Sequence, residues 1–152
     1  MVAYKYISKA WRNPRKSYVR DMMRRVAERW RKEPAIVRVE APTRLDRARR
    51  FGYKAKQGFA VVRVRLRKGG ARKIRPVSGR RQRALGVTKF TRGKSLKKIA
   101  QDRAAKKFPN MLPLNSYWTW EDGKHKWFEV VMVDPNHPSV RNDRSITLPA
   151  KI

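Results

Sequence analysis

The chain has 152 residues, 40% of them hydrophobic, with five Trp, five Tyr and five Phe. That is a length for one folded domain and a composition too apolar for a wholly disordered basic tail. It carries 41 Lys or Arg against 11 Asp or Glu, a formal charge of +30, and no Cys, so disulfide frameworks and thiolate metal sites are excluded. No run approaches ~18 apolar residues and no apolar stretch follows the first Met, which argues against a membrane span or secretory signal and for a cytoplasmic protein.

The charge is uneven. Residues 1–46 hold 13 basic and 5 acidic side chains, and residues 102–152 hold 8 and 6. Residues 47–101 hold 20 Lys or Arg and no acidic side chain. Such a block repels itself until a polyanion displaces its counterions, so a nucleic-acid partner is expected.

In chain order, residues 4–12 (YKYISKAWR) predict a short helix that ends before Pro14. Tyr18, Val19, Met22, Met23, Val26, Ala27 and Trp30 recur at helical spacing and predict an amphipathic helix from about 15 to 32. Its apolar stripe reads as core. The arginines on its other faces read equally as a solvated face or as phosphate contacts. Pro34 and Pro42 bracket an extended piece at 36–39, and Thr43 stands where it would cap a short helix LDRARRFG that Gly52 terminates.

From Gly58 the period changes to two. Val62, Val64 and Leu66 alternate with Arg63, Arg65 and Arg67, giving a strand with one apolar face and one row of guanidinium groups. Three forked cations in register suit a phosphate backbone better than bare solvent. Residues 68–94 are rich in Gly and cations and poor in apolar residues, which predicts a loop without a core of its own that orders on a folded polyanion.

Ser95 is placed to cap a helix lined by Leu96, Ile99, Ala100, Ala104 and Phe108, ending before Pro109. Leu112, Leu114, Ser116, Trp118 and Trp120 then alternate with their neighbours, and a second run spans 126–133. Asp122 and Gly123 lie between, so the pair predicts a β-hairpin packed against helices. Its aromatics read as core rather than as base-stacking platforms. The remainder reads as turns around Pro135, Pro138 and Pro149, with one short strand near 145–148.

Catalysis has little to build on. His125 and His137 have no partner at metal-ligand spacing, and Glu121 and Asp122 occupy the hairpin turn. Glu129 sits mid-strand among bulky apolar residues, where pairing with a nearby Arg or Lys is expected. No phosphate-cradling GxxxxGK[ST] loop, dinucleotide GxGxxG or nucleophile-elbow GxSxG is present, so no enzyme and no cofactor are expected.

The run PTRLDRARRFGYKAKQGFAVVRVRLRKGGARK at 42–73, the opening AYKYISKAW at 3–11, and LNSYW, ED and KWFEVVMVDPNHP between 114 and 138 resemble the fifteen-e family of archaeal and eukaryotic large-subunit ribosomal proteins. GYKAKQG followed by the Val/Arg strand is its most specific part. The resemblance implies a small α+β body with a mainly antiparallel sheet, a long basic loop and extensions that enter RNA. It also implies large-subunit ribosomal RNA and neighbouring ribosomal proteins as partners, with no membrane or small-molecule substrate. The shorter central loop is similar to archaeal members. The basic Gly-rich tail with which the family usually continues is expected to be lacking here, and Thr119-Trp120 stands in place of a Val-Gly pair.

The candidate RNA-contacting residues are Arg44, Arg47, Arg49, Arg50, Lys54 and Lys56 before the strand, and Arg63, Arg65, Arg67 and Lys68 along it. In the loop they are Arg72, Lys73, Arg75, Arg80, Arg81, Arg83, Lys89, Arg92 and Lys94, followed by Lys97 and Lys98 at the next helix. Recognition is expected to rest on backbone and shape rather than base edges. A nucleoid-type architectural protein is the alternative, which composition permits and the specific motifs disfavour.

Overall fold

The computed structural model describes residues 2–71, 73–87, 90–146 and 148. Among these, five α-helices and four strands form an α+β fold around one antiparallel sheet of order β1-β2-β4-β3. The elements are α1 (Val2–Arg12), α2 (Val19–Lys32), β1 (Ile36–Val39), α3 (Leu45–Arg50), β2 (Phe59–Arg67), α4 (Leu96–Lys107), β3 (Leu112–Glu121), β4 (His125–Val133) and α5 (Pro138–Arg141).

Both faces of the sheet are covered, and this is why β4 is buried over most of its length. On one face Val62, Val64 and Leu66 of β2 join Phe128, Val130 and Met132 of β4 beneath Ala100 and Ala104 of α4. The small alanines let α4 lie close to the strands. Ser95 caps this helix as expected, accepting from the Lys98 amide at 3.3 Å.

The opposite face carries α1, α2, α3 and α5. Val19, Met23, Ala27 and Trp30 of α2 pack with Trp11 of α1 on Trp120 and Trp127. The buried stripe of α2 is therefore narrower than the periodicity suggests, because Tyr18 and Met22 are exposed. Ser17 donates to the Ala10 carbonyl at 2.9 Å and so satisfies an acceptor near the end of α1. Ala48 of α3 meets Tyr117 and Val131, and Val140 of α5 meets Phe59 and Val133. Four of the five Trp are buried and Trp118 is half-buried, in agreement with a core role for the aromatics.

Three expectations need correcting. Thr43 does not cap α3. It gives its amide (3.0 Å) and hydroxyl (2.5 Å) to the buried Glu129 carboxylate, leaving Arg44 at the cap position with no side-chain hydrogen bond to the helix amides. The strict alternation in β3 fails at two irregularities, between Pro113 and Asn115 and between Trp118 and Trp120. An extra residue at each shifts the side-chain parity, so Leu112 and Leu114 pack with Val133 and Val131 whereas Trp118 also reaches the α4 side. Third, Ser145 and Ile146 form no strand, and Thr147 lies outside the described residues. The chain between β4 and Ser145 instead contains α5, with Pro138 in its first turn and His137 Nδ1 accepting from the Ser139 amide at 3.3 Å.

Gly52 does terminate α3. Its φ of +86° is left-handed, its amide reaches the Arg49 carbonyl at 3.0 Å, and the Tyr53 amide reaches Ala48 at 3.0 Å, the paired bonds of a Schellman ending.

Candidate nucleic-acid interface

The Val/Arg strand shows how the body handles its own charge. Period two puts Arg63 and Arg65 on the face where β4 presents Glu129 and Trp127. That face is not open, because the C-terminal end of α2 lies across it. The Arg63 guanidinium sits 4.1 Å from the centre of the Trp30 ring and pairs with Glu33 at 2.5 Å. Arg65 donates to the carbonyls of Arg31 (2.5 Å) and Trp30 (3.4 Å). Cations are favoured at a helix C-terminus, where the last carbonyls lack intrahelical donors. Of the three arginines expected to face a phosphate backbone, only Arg67 is exposed, while Arg63 and Arg65 are tied to the end of α2.

Glu129 also departs from expectation. It is wholly buried and makes no ion pair among the described residues. Its donors are Thr43 and the Tyr117 hydroxyl, the latter at 2.7 Å. Burial raises its pKa above the ordinary value, against the pull of those hydrogen bonds and the nearby Arg63 charge. Burial and the adjacent Glu129 likewise raise Tyr117.

Arg44 is buried, stacks on Trp11 at 4.7 Å and donates to the Trp118 carbonyl at 3.2 Å. Burial lowers its pKa despite Asp46 beside it. Lys54 and Lys56 both reach Asp143 at 2.6 Å, and Lys56 also donates to the Ser139 carbonyl at 2.7 Å. Hydrogen bonds from the two lysines and from Ser145 hold the Asp143 carboxyl well below the usual range. These contacts fasten the GYKAKQG segment to the chain beyond β4. They join residues almost ninety positions apart, which no local pattern announces.

A second group of cations faces solvent. Arg49 and Arg50 of α3 are exposed and Arg47 is half-buried, and none has an ion-pair partner among the described residues. Lys97, exposed in the first turn of α4, stands 5.4 Å from the centre of the Phe51 ring and so joins α4 to the end of α3. Lys94 and Lys98 flank Asp102, at 2.9 and 3.6 Å, and the Lys94 hydrogen bond is the main reason that carboxyl is lowered.

Between Lys68 and Lys94 the described residues contain one 3₁₀ turn, Gln82–Ala84, and no strand. Lys68 reaches Glu121 at 3.3 Å, Arg80 donates to Ser78, and Arg92 donates to Gly70 at 3.1 Å. Lys73, Arg75, Arg80, Arg81 and Arg83 are exposed and have no carboxylate within ion-pair distance among the described residues. Two apolar side chains of the loop do not fold inward either, since Ile74 is 89% and Val77 is 90% exposed. Arg72 and Lys89 lie outside the described residues.

Among the described residues, no three His, Asp or Glu side chains gather so as to hold a metal ion, and no helix is long and apolar enough to cross a membrane. A family model described as Ribosomal L15 matches residues 2–150. The chain belongs to the fifteen-e family of ribosomal proteins. Fifteen-e members are structural components of the large ribosomal subunit and not enzymes, with ribosomal RNA and other ribosomal proteins as partners. Within a fifteen-e protein the cations have distinct settings: Arg44, Lys54, Lys56, Arg63 and Arg65 are joined to protein groups, Arg49 stacks on Tyr4 and Lys97 on Phe51, and Arg50, Lys73, Arg75, Arg81 and Arg83 are exposed with no side-chain hydrogen bond or ion pair among the described residues.

Proposed function

We propose that this fifteen-e protein fixes large-subunit ribosomal RNA through the phosphate backbone, reading its shape rather than its base edges. The contacts come from Arg47, Arg49 and Arg50, from Arg67 and Lys97, and from the cations of the 68–94 loop. The observation that carries this reading is the loop: five exposed cations without a carboxylate partner among the described residues, in a segment where Ile74 and Val77 are also exposed. A segment of that kind gains little by folding alone and much by ordering against a polyanion. Lysines and arginines there screen phosphate repulsion so that RNA helices approach one another, while the sheet and its helices fix where the cations stand. The whole chain acts as one ribosomal-protein domain of the archaeal type, with 68–94 as its RNA-penetrating loop.

Salt titration of binding to large-subunit ribosomal RNA tests the reading. With roughly six to ten phosphate contacts, affinity is expected to fall by about three to five orders of magnitude between ~50 and ~200 mM salt. A flat salt profile refutes it.

A further inference from the structure

Helix α2 carries a second concentration of charge, outside the acid-free block. Arg20, Arg24 and Arg31 stand at i, i+4 and i+11, within about 40° of one another around the helix. With Arg15 they line a cleft of about 430 Å³ against Trp120 and the β3–β4 turn.

The carboxylates of this cleft are already committed. Glu121 receives Lys126 at 3.1 Å and both Arg15 and Lys68 at 3.3 Å. Asp122 receives Arg31 at 3.0 Å and the amides of Lys124 (2.8 Å) and His125 (2.5 Å). Burial alone would raise both carboxyls, yet these donors together hold each below its usual range. Arg20 and Arg24 are exposed and have no ion-pair partner among the described residues, so the cleft keeps an excess of positive charge. Trp120 is almost fully buried and gives the cleft an apolar wall, which focuses the field of the two free guanidinium groups.

The cleft also adjoins the start of the basic loop. The Lys68 amide donates to the Lys124 carbonyl at 2.8 Å and its ammonium reaches Glu121, so the loop leaves the body at the turn that walls the cleft. The first residue of the loop therefore lies beside this opening.

We propose that the cleft between α2 and the β3–β4 turn seats a backbone phosphate of ribosomal RNA, with Arg20 and Arg24 as its donors. Planar forked donors one helical turn apart suit phosphate oxygens, and the Arg15–Glu121 and Arg31–Asp122 pairs hold the walls in place beforehand. This inference rests on the phosphate-backbone reading above.

The test compares the full chain with R20Q/R24Q and with R25Q/R29Q, which removes two exposed cations from other positions around α2. Binding to large-subunit ribosomal RNA is measured against salt, with urea midpoints as the check on folding. R20Q/R24Q is expected to keep its urea midpoint and to lower the magnitude of the log–log salt slope by about 0.7 to 0.9, one phosphate's worth, with R25Q/R29Q changing it less. A steep slope in the unaltered chain that R20Q/R24Q leaves unchanged overturns the cleft while the general reading stands. An equal loss in R25Q/R29Q also overturns it, since total charge then accounts for the effect. Absence of RNA binding by the unaltered chain overturns both. Crosslinking in intact subunits supplies the last arm: Arg20 and Arg24 joined to RNA support the proposal, and joined only to protein they refute it.

Discussion

Replacing Arg63 by Gln separates a cation that holds the body together from one proposed to contact RNA. Arg63 contributes a guanidinium–indole stack at 4.1 Å on Trp30 and an ion pair with Glu33. The stack is worth about 1–2 kcal/mol when largely desolvated. The ion pair adds about 1 kcal/mol, discounted because the Glu33 side chain is 34% exposed. The expected loss is therefore about 2–3 kcal/mol. At a urea m-value of ~1–3 kcal/mol/M that moves the midpoint down by about 0.7–3 M with m unchanged. Arg67→Gln, at an exposed position of the same strand, is expected to change stability by less than about 0.5 kcal/mol and to reduce the RNA salt slope. Urea denaturation followed by Trp fluorescence reads the first effect, and salt-dependent RNA binding reads the second. An unchanged midpoint for Arg63→Gln with weakened RNA binding would mean that Arg63 faces RNA and not α2, and the covering of this face would be wrong.

Gly58→Ala is expected to destabilise the chain by about 1–3 kcal/mol, since Gly58 has φ +86° and a Cβ there would lie 2.6 Å from Val140 Cγ2. Amide exchange should quicken first in α5, and unaltered exchange there would refute the docking of that helix on Gly58. Glu129 gives a pH signature: its raised native pKa lets the folded chain keep a proton that the unfolded chain loses near the ordinary 4.5. The resulting stabilisation is complete below about 4.5 and fades as pH rises through the raised value. Glu129→Gln should remove that decline in urea midpoints measured from about pH 4 to about pH 8, and a decline of undiminished slope would assign it to another group. Limited proteolysis should cut within 68–94 in the free protein and spare it in the subunit, whereas equal protection in both would show that the loop folds unaided.

The sequence was legible where a pattern is local. Val62, Val64 and Leu66 define the apolar face of β2, Ser95 starts α4, Asp122-Gly123 marks the hairpin and Gly52 ends α3, each through a rule that spans a few residues. Period two also sorted Arg63 and Arg65 onto one face, but periodicity does not say what lies over a face, and α2 arrives there from thirty residues away. A local rule gives Thr43 to its neighbouring helix, because a cap is a local need. The buried carboxylate of Glu129, eighty-six residues on, has the larger one. Asp143 hides the roles of Lys54 and Lys56 in the same way, and the irregularities of β3 are invisible in its alternation. For the candidate interface, composition identified the loop cations. The Arg20, Arg24 and Arg31 stripe was written in the spacing of α2, but its pairing with the β3–β4 turn required the tertiary structure.

The two outer strands of the sheet bear on the protein's life before it meets RNA. An uncovered strand edge is a template on which a second copy can pair and start an aggregate. Here β1 offers four residues, with the exposed Arg38 among them, and β3 is interrupted by Pro113, which has no amide hydrogen, and by two breaks in register. Neither side presents a long regular ladder. A newly made chain with a formal charge of +30 thus has two separate guards against stacking on its own kind, one electrostatic and screened by salt, the other built into backbone geometry and indifferent to it.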